Sequence, residues 1–189
     1  MALSNVAIAN RALQKLGATR IESLTQNAPN ARSMNSAFTI VRDAELRRYD
    51  WSFAIKRASI AADGDGPTWG DWNRYSLPND FLRLVRDDES GQFVDWKIEG
   101  LYILSADASP LEIRYIARIE DPNYFDSSFV AMFAGRLALE TCQEITQSTT
   151  KKESIKADYD ADLREAKRVG AIEKAAQEFP EDEWIAARR

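Results

Sequence analysis

Tyr75-Ser-Leu-Pro-Asn-Asp-Phe-Leu-Arg-Leu-Val85 is the stretch that decides the fold, together with Trp96-Lys-Ile-Glu-Gly100 and Leu111-Glu-Ile-Arg-Tyr-Ile116. These short apolar runs are separated by Pro, Gly and Ser, which is typical of short antiparallel strands. We expect a turn at Ser90-Gly91 and four strands, at Phe81–Val85, Phe93–Ile98, Leu101–Leu104 and Leu111–Ile116. The centre of the chain therefore predicts a small antiparallel sheet.

Two helices are predicted before this sheet. Ser4 is a typical N-cap and Gly17 a typical C-terminal stop for the first helix. The second is expected from Pro29 to Tyr49, with the inner stripe Met34, Ala37, Phe38, Val41 and Ala44 and with its arginines on other faces. The alternation of Trp51, Phe53 and Ile55 with smaller or polar residues then predicts a strand.

Two further helices are predicted after the sheet. Asp126 is a good N-cap, and the segment Phe129–Ile145 is apolar on most sides, so this helix is expected to be the most buried. Within it, Arg136 and Glu140 are spaced to form an ion pair. The last helix begins at Thr149 or Thr150, and its predicted inner stripe is Ile155, Tyr159, Leu163 and Ala166.

The expected fold class is α+β, mainly helical: a helical bundle with a small antiparallel β insertion and an extended C-terminal arm. The bundle comprises residues 1–50 and 122–177, the insertion residues 51–120 and the arm residues 178–189. Helices on either side of the insertion must pack together, because none can bury its apolar stripe alone.

Composition excludes several kinds of site. The chain has no histidine and one cysteine, Cys142, which excludes Ser-His-Asp and Cys-His catalysis, histidine metal sites and an internal disulfide. Cys142 lies in an apolar run and is predicted to be a buried thiol. We expect no cofactor and no metal, no signal peptide or membrane helix, and synthesis in a reducing cytoplasm.

Carboxylates are the remaining catalytic candidates, because a glycosidase needs only two of them. The possible pairs are Asp80 with Glu99, or members of the group Asp87, Asp88 and Glu89. Nothing in the sequence holds such a pair in a cleft, so we interpret these residues as solvated turns. The run Asp63-Gly-Asp-Gly-Pro67 is interpreted likewise, because its glycines do not fit a calcium loop.

Several residues are candidates for contact with a partner. Trp69 and Trp72 lie in a glycine-bearing loop, where they either anchor an interface or fold back over the sheet. Arg42, Arg47 and Arg48 favour an interface with a neighbouring subunit, and contact with DNA phosphates is the alternative.

Four motifs in order resemble the head-to-tail adaptor family of short-tailed phages, also called tail tubular protein A. The first is W-x-F, in Arg48-Tyr-Asp-Trp-Ser-Phe53, and the second is Y-x-L-P-x-D-F-L-R, from Tyr75 to Arg83. The third is W-x-I-E-G, from Trp96 to Gly100, and the fourth is I-x-Y-I followed by D-P-x-x-F-D, from Ile113 to Asp126. The resemblance covers residues 1–170, whereas the loop 61–74 and the tail match no part of the family.

The resemblance implies a non-enzymatic virion protein of the tail or neck. Family members form a twelve-subunit ring between the portal protein and the tail nozzle protein, and DNA passes through its channel without specific binding. By this resemblance the partners are the portal, the nozzle and further copies of the chain, with no membrane. It also points to the portal as the binder of the arm, whose candidate contacts are Phe179, Trp184, Ile185, Arg188 and Arg189.

Two other functions stay open at this point. One is a cell-wall hydrolase that uses carboxylates alone, and the other is a cellular α+β scaffold protein unrelated to virions. An adaptor gene is expected beside portal and capsid genes, which separates the first interpretation from the scaffold.

Overall fold

The computed structural model describes residues 2–85 and 96–173, and it has the mainly helical α+β architecture that the sequence predicts. The helices in these residues are α1 (Asn5–Leu16), α2 (Pro29–Arg48), α3 (Ser127–Thr146) and α4 (Thr149–Ile172). The strands are β1 (Ile55–Ile60), β2 (Asn73–Ser76), β3 (Phe81–Leu84), β4 (Trp96–Glu99), β5 (Tyr102–Ser105) and β6 (Leu111–Ala117). The predicted arm 178–189 and the expected turn at Ser90-Gly91 lie outside the described residues.

The predicted helix ends are confirmed where capping side chains mark them. Ser4 Oγ accepts the Ala7 N–H at 3.1 Å, and Gly17 ends α1 with a φ of 74°. Asp126 accepts the backbone N–H of Ser128 at 2.7 Å at the start of α3. These caps satisfy backbone groups that a helix leaves unpaired at its ends.

Helix α3 forms the centre of the bundle and contacts α1, α2 and α4. Its Phe129 and Phe133 are fully buried in a cluster of aromatic rings, with 5.1 Å between the ring centroids of Phe129 and Trp51 and 5.2 Å between those of Phe133 and Phe38. The predicted central helix and the predicted packing of the flanking helices are both confirmed. So is the inner stripe of α4, whose buried residues are Ile155, Tyr159, Leu163 and Ala166.

The β insertion forms two sheets of three strands rather than the single small sheet that we expected. The first has the order β1-β6-β3 and contacts α2, and the second has the order β2-β5-β4. All of their pairings are antiparallel, as predicted. Strand β2 was not predicted, because only its Tyr75 is buried and its other three positions are polar.

The prediction of a strand from Trp51 was wrong for its first residues. Residues Ser52–Ala54 form a 3₁₀ helix, and β1 begins at Ile55. The indole N–H of Trp51 donates to the Glu45 carbonyl oxygen at 2.9 Å, which turns the chain back towards the end of α2. The apolar alternation therefore reflects a buried turn of aromatic residues before the strand.

The predicted inner stripe of α2 omitted two buried residues and included one residue that is exposed. Ala44 is exposed, whereas Arg42 and Glu45 are only 6% and 2% exposed. The reason is that α2 contacts α3 and also strands β3 and β6, so it is covered on more than one side. No helix in the described residues is long and apolar enough to cross a bilayer.

Candidate functional site

Two arginines join the β insertion to the helical bundle. Arg83 of β3 donates from Nε to the backbone oxygen of Arg47 at 2.6 Å, and its guanidinium also pairs with Asp50. Arg47, at the end of α2, donates in return to the Leu82 carbonyl oxygen. These reciprocal hydrogen bonds fix the orientation of β3 relative to α2, because each guanidinium is held by a backbone oxygen of the other element.

Asp80 connects the three strands of the first sheet. It lies just before β3, and its carboxylate accepts from Lys56 Nζ of β1 at 2.7 Å and from the Tyr115 hydroxyl of β6 at 2.9 Å. Burial alone would raise the pKa of Asp80, but the hydrogen bonds from Lys56 and Tyr115 outweigh it and lower this pKa. Burial and the neighbouring carboxylate raise the pKa of Tyr115 to about 12.

These contacts do not fit the glycosidase pair that the sequence allowed. Asp80 is not suited to be the general acid of such a pair, because a general acid needs a raised pKa and the pKa of Asp80 is lowered. Glu99 is exposed on β4, which belongs to the other sheet. Asp80 acts as a connector within its own sheet, and the alternative carboxylates Asp87, Asp88 and Glu89 lie outside the described residues.

A buried polar cluster links helices α2, α3 and α4. The carboxylate of Glu45 accepts from the Tyr159 hydroxyl at 3.0 and 3.1 Å, and it lies 3.3 Å from Arg136 Nε and 3.5 Å from Arg48 Nη1. Burial, and then the negative charge of Glu45, raise the pKa of Tyr159, so its hydroxyl stays protonated and donates. The predicted pair of Arg136 with Glu140 is confirmed at 2.9 Å.

This cluster was missed in the sequence because Glu45 was not among the residues of the predicted inner stripe of α2. Only the position of Glu45, three residues before Arg48, gave a local signal, and Tyr159 lies more than 100 residues away in sequence. Arg136 and Tyr159 compensate the charge that burial of Glu45 would otherwise leave unpaired. The cluster holds three helices in register, which is a structural role.

The turn between β4 and β5 exposes a set of large apolar side chains. Gly100 has a φ of 61° and Leu101 follows it, which fits a two-residue type II′ turn with glycine first. We define the hairpin surface by four residues and their exposed fractions: Trp96 (37%), Ile98 (42%), Leu101 (76%) and Tyr102 (38%). Trp96 and Ile98 share one face of the sheet, and Tyr102 lies on the opposite face. Leu101 therefore belongs to the turn, not to the strand in which it was expected.

The register explains why this surface is open. Ile98 of β4 lies opposite Ile103 of β5, so the two side chains point to the same face of the sheet. Ile103 is fully buried, whereas Ile98 is 42% exposed. Other parts of the chain therefore bury this face of the sheet at β5 but leave it open at β4. In the described residues, β4 is the edge strand of its sheet.

The two loop tryptophans have different environments. Lys97 Nζ lies 4.7 Å from the ring of Trp72, so Trp72 folds back over the hairpin. Trp69 is 87% exposed, so its indole ring is open to a partner, and its role as an interface anchor stays a prediction. The run Asp63-Gly-Asp-Gly-Pro67, which precedes these tryptophans, is held as a turn, because the Asp63 carboxylate accepts from Arg74 Nε at 3.0 Å. The described residues contain no acidic or cysteine cluster arranged to hold a metal ion.

The three candidate arginines of α2 also differ in their exposure to solvent. Arg42 is buried and pairs with Asp43 at 2.8 Å, so the prediction that it lies at a surface interface was wrong. Arg47 and Arg48 are exposed, although each also bonds within the chain. The candidate contacts of the arm, Phe179, Trp184, Ile185, Arg188 and Arg189, lie outside the described residues.

The sequence was compared with protein-family models and with curated proteins. No protein-family model matches the chain, and no curated protein matches its sequence. Only the motifs and the geometry described above therefore bear on the function of the chain.

Proposed function

We propose that the chain is a structural head-to-tail adaptor of a phage virion, which forms a ring between portal and tail nozzle around the DNA channel. The observation that carries this proposal is the role of the polar motif residues. Arg83, in the motif from Tyr75 to Arg83, holds the insertion on the bundle through the Arg47 carbonyl oxygen. Asp80 of the same motif joins the strands of its own sheet through Lys56 and Tyr115, so both polar side chains have structural partners. A rigid two-part subunit suits a ring whose function is mechanical.

The exposed surfaces support the same function. A protein that works by assembly needs apolar surface left open by its own fold, and the hairpin surface and Trp69 supply it. We assign the ring, by resemblance a dodecamer, to contacts between folded domains. We assign portal binding to the arm, where Trp184 has few other apolar residues to pack on.

The free protein is expected to be largely monomeric, because its core is complete within one subunit and the ring forms on the portal. Size exclusion with light scattering should then give a mass near 21.4 kDa. A stable ring without portal would contradict this assembly order.

The function is tested by binding to the portal protein encoded in the same genome. Full-length chain should co-elute with the portal, while the chain truncated after Gln177 and the variant Trp184→Ala should lose most of this binding. Tyr124→Ala is the matched control, because Tyr124 is an exposed aromatic residue of the folded domain. Failure of the full-length chain to bind would contradict the adaptor function. Undiminished binding by both arm variants would move the portal contact to the folded domain.

A further inference from the structure

A groove lies between α3 and α4, close to the turn that joins these two helices. Its volume is about 490 Å³, within the range of ligand pockets. One face of each helix lines it, because the lining residues recur at helical spacing. These residues are Arg136, Leu139 and Glu140 of α3, and Thr149, Lys152, Glu153 and Lys156 of α4. The groove therefore combines one apolar residue with walls that are mainly charged.

The α4 wall of this groove is basic on balance. Residues 149–156 carry three basic and one acidic side chain, a net charge of +2. On the α3 wall, Arg136 and Glu140 neutralise each other at 2.9 Å. The Lys156 ammonium lies 3.8 Å from Asp160, but its side chain is 67% exposed and stays open to the groove. The positive end of the α4 dipole lies at the same place, so the wall favours an acidic occupant.

The loop 61–72 has the opposite charge and carries the most exposed large apolar residue of the described chain. It contains three acidic side chains and no basic one, a net charge of −3. Asp63 is paired with the arginine of β2 at 3.0 Å, whereas Asp65 and Asp71 are exposed and have no partner among the described residues. Trp69, which is 87% exposed, lies between these two carboxylates in sequence.

We propose that Trp69 of one copy inserts into the α3–α4 groove of a second copy. The indole packs on Leu139 and on the lysine side chains of α4, because an ammonium group is attracted to the face of an indole ring. The chain already makes such a contact between Lys97 and Trp72, at 4.7 Å. The two unpaired carboxylates of the loop then face the basic wall. Trp69 does not occupy the groove of its own subunit, in which it is 87% exposed, so the contact joins two copies.

Charge decides for this arrangement against a symmetric one. Two loops facing each other would bring together two net charges of −3, and two α4 walls would bring together two net charges of +2. A contact between two different surfaces continues from subunit to subunit and closes into a ring when the rotation permits. The inference rests on the proposed function for its ring, and it adds which surfaces form the ring.

Cysteine cross-linking tests the contact in the full chain. The native Cys142 is fully buried, so cysteines added at the surface react selectively. The loop variant Thr68→Cys and the groove variant Thr149→Cys are mixed, with and without the portal protein, and treated with a short thiol-specific cross-linker. We expect several-fold more covalent dimer from this mixture than from either variant alone, and less at high salt. No excess in either condition would overturn the proposal.

A third threonine gives the matched control. Thr39 is exposed on α2 and belongs to neither surface. Thr39→Cys, mixed with the loop variant, should give only background dimer. A yield equal to that of the groove variant would overturn the proposal, and so would efficient dimerisation of the loop variant alone, which would indicate that two loops meet.

Removal of the anchor and exchange of the charges test what holds the contact. Trp69→Ala in the loop variant should reduce the yield several-fold. Lys152→Glu/Lys156→Glu in the groove variant should also reduce it, and Asp65→Lys/Asp71→Lys in the loop variant should then restore much of it. If the exchange restores nothing, the loop and the α4 wall do not face each other.

Truncation after Gln177 removes the arm, which is the other acidic segment with a tryptophan in this chain. The cross-link should persist in the truncated chain. Its loss would assign the groove to the arm and overturn the proposal.

The outcome is separable from the adaptor function. A chain that binds portal but shows no preferred cross-link between Thr68→Cys and Thr149→Cys would retain the adaptor function and overturn only this contact. A chain that forms the cross-link without binding portal would retain the contact and lose the adaptor function.

Discussion

Helix α3 and strand β4 use apolar residues in opposite ways. Ten of the twenty residues of α3 are buried, whereas all four residues of β4 are exposed, among them Trp96 and Ile98. Burial of apolar surface is the main source of stability, so α3 should determine whether the chain folds. Strand β4 and its turn should contribute little to folding, and their apolar surface is available to a partner. The predictions below test this division.

The largest effect is expected from truncation in α3. Phe133→Ala should lower the free energy of unfolding by about 3–5 kcal/mol and Leu137→Ala by about 2–5 kcal/mol, because both side chains are fully buried. Leu101→Ala, in the exposed turn, should change it by less than about 0.5 kcal/mol. Chemical denaturation measures all three. The division would fail if the Leu101 variant were destabilised as much as the α3 variants.

The buried polar cluster should matter almost as much. Glu45→Ala leaves Tyr159 and Arg136 without their shared acceptor, but Arg136 retains partial access to water. We therefore expect a loss of about 2–3 kcal/mol of unfolding free energy, somewhat less than the roughly 3–5 kcal/mol that breaking a fully buried pair costs. The control is Glu165→Ala, which removes an exposed pair with Arg168 and should leave the unfolding midpoint unchanged. Equal midpoints for the two variants would show that the cluster does not hold the helices together.

A smaller effect that depends on pH is expected within the first sheet, at Asp80. The pKa of Asp80 is lower in the folded than in the unfolded chain, where an ordinary value is about 3.9. Its contribution is therefore present above about pH 4 and is lost as the pH falls through the folded-state pKa. Because Asp80 is partly exposed, this contribution should not exceed about 1 kcal/mol.

Asp80→Asn tests this dependence through unfolding free energies measured between neutral and acidic pH. The variant should be less stable than wild type at neutral pH, and the difference should shrink on acidification. A difference that stays constant, or that grows as the pH falls, would exclude the charged carboxylate as the connector.

The smallest effect is a gain in stability within α3. Gly135 faces α4, and a methyl group added there would lie 3.6 Å from the Cα and Cβ atoms of Tyr159, an ordinary packing distance. Gly135→Ala should therefore stabilise the chain by about 0.5–1 kcal/mol, because alanine is favoured over glycine inside a helix. Thermal unfolding measures the change. A lower melting temperature would show that α3 and α4 pack more closely than described.

The helices were largely predictable from local signals. Ser4, Gly17 and Asp126 marked helix ends through capping, and the apolar spacing of α4 identified its four buried residues. Such signals are local in sequence, because a cap bonds to a residue two or three positions away and a stripe repeats every turn.

The features that depend on distant contacts were not predictable in the same way. Burial of Arg42 and Glu45 follows from the position of α2 between α3 and the first sheet. The split into two sheets depends on which strands pair, and short strands carry little information about their partners. The exposure of Leu101 had one local signal, the position of Gly100 before it, which was interpreted as a separator and not as the first residue of a turn.

The most direct test of the adaptor account is electron cryomicroscopy of the portal protein with the chain bound, or of the virion neck. The account predicts a closed ring of copies of the chain beneath the portal. Absence of this chain from the neck density, in virions whose portal and nozzle are both resolved, would contradict it.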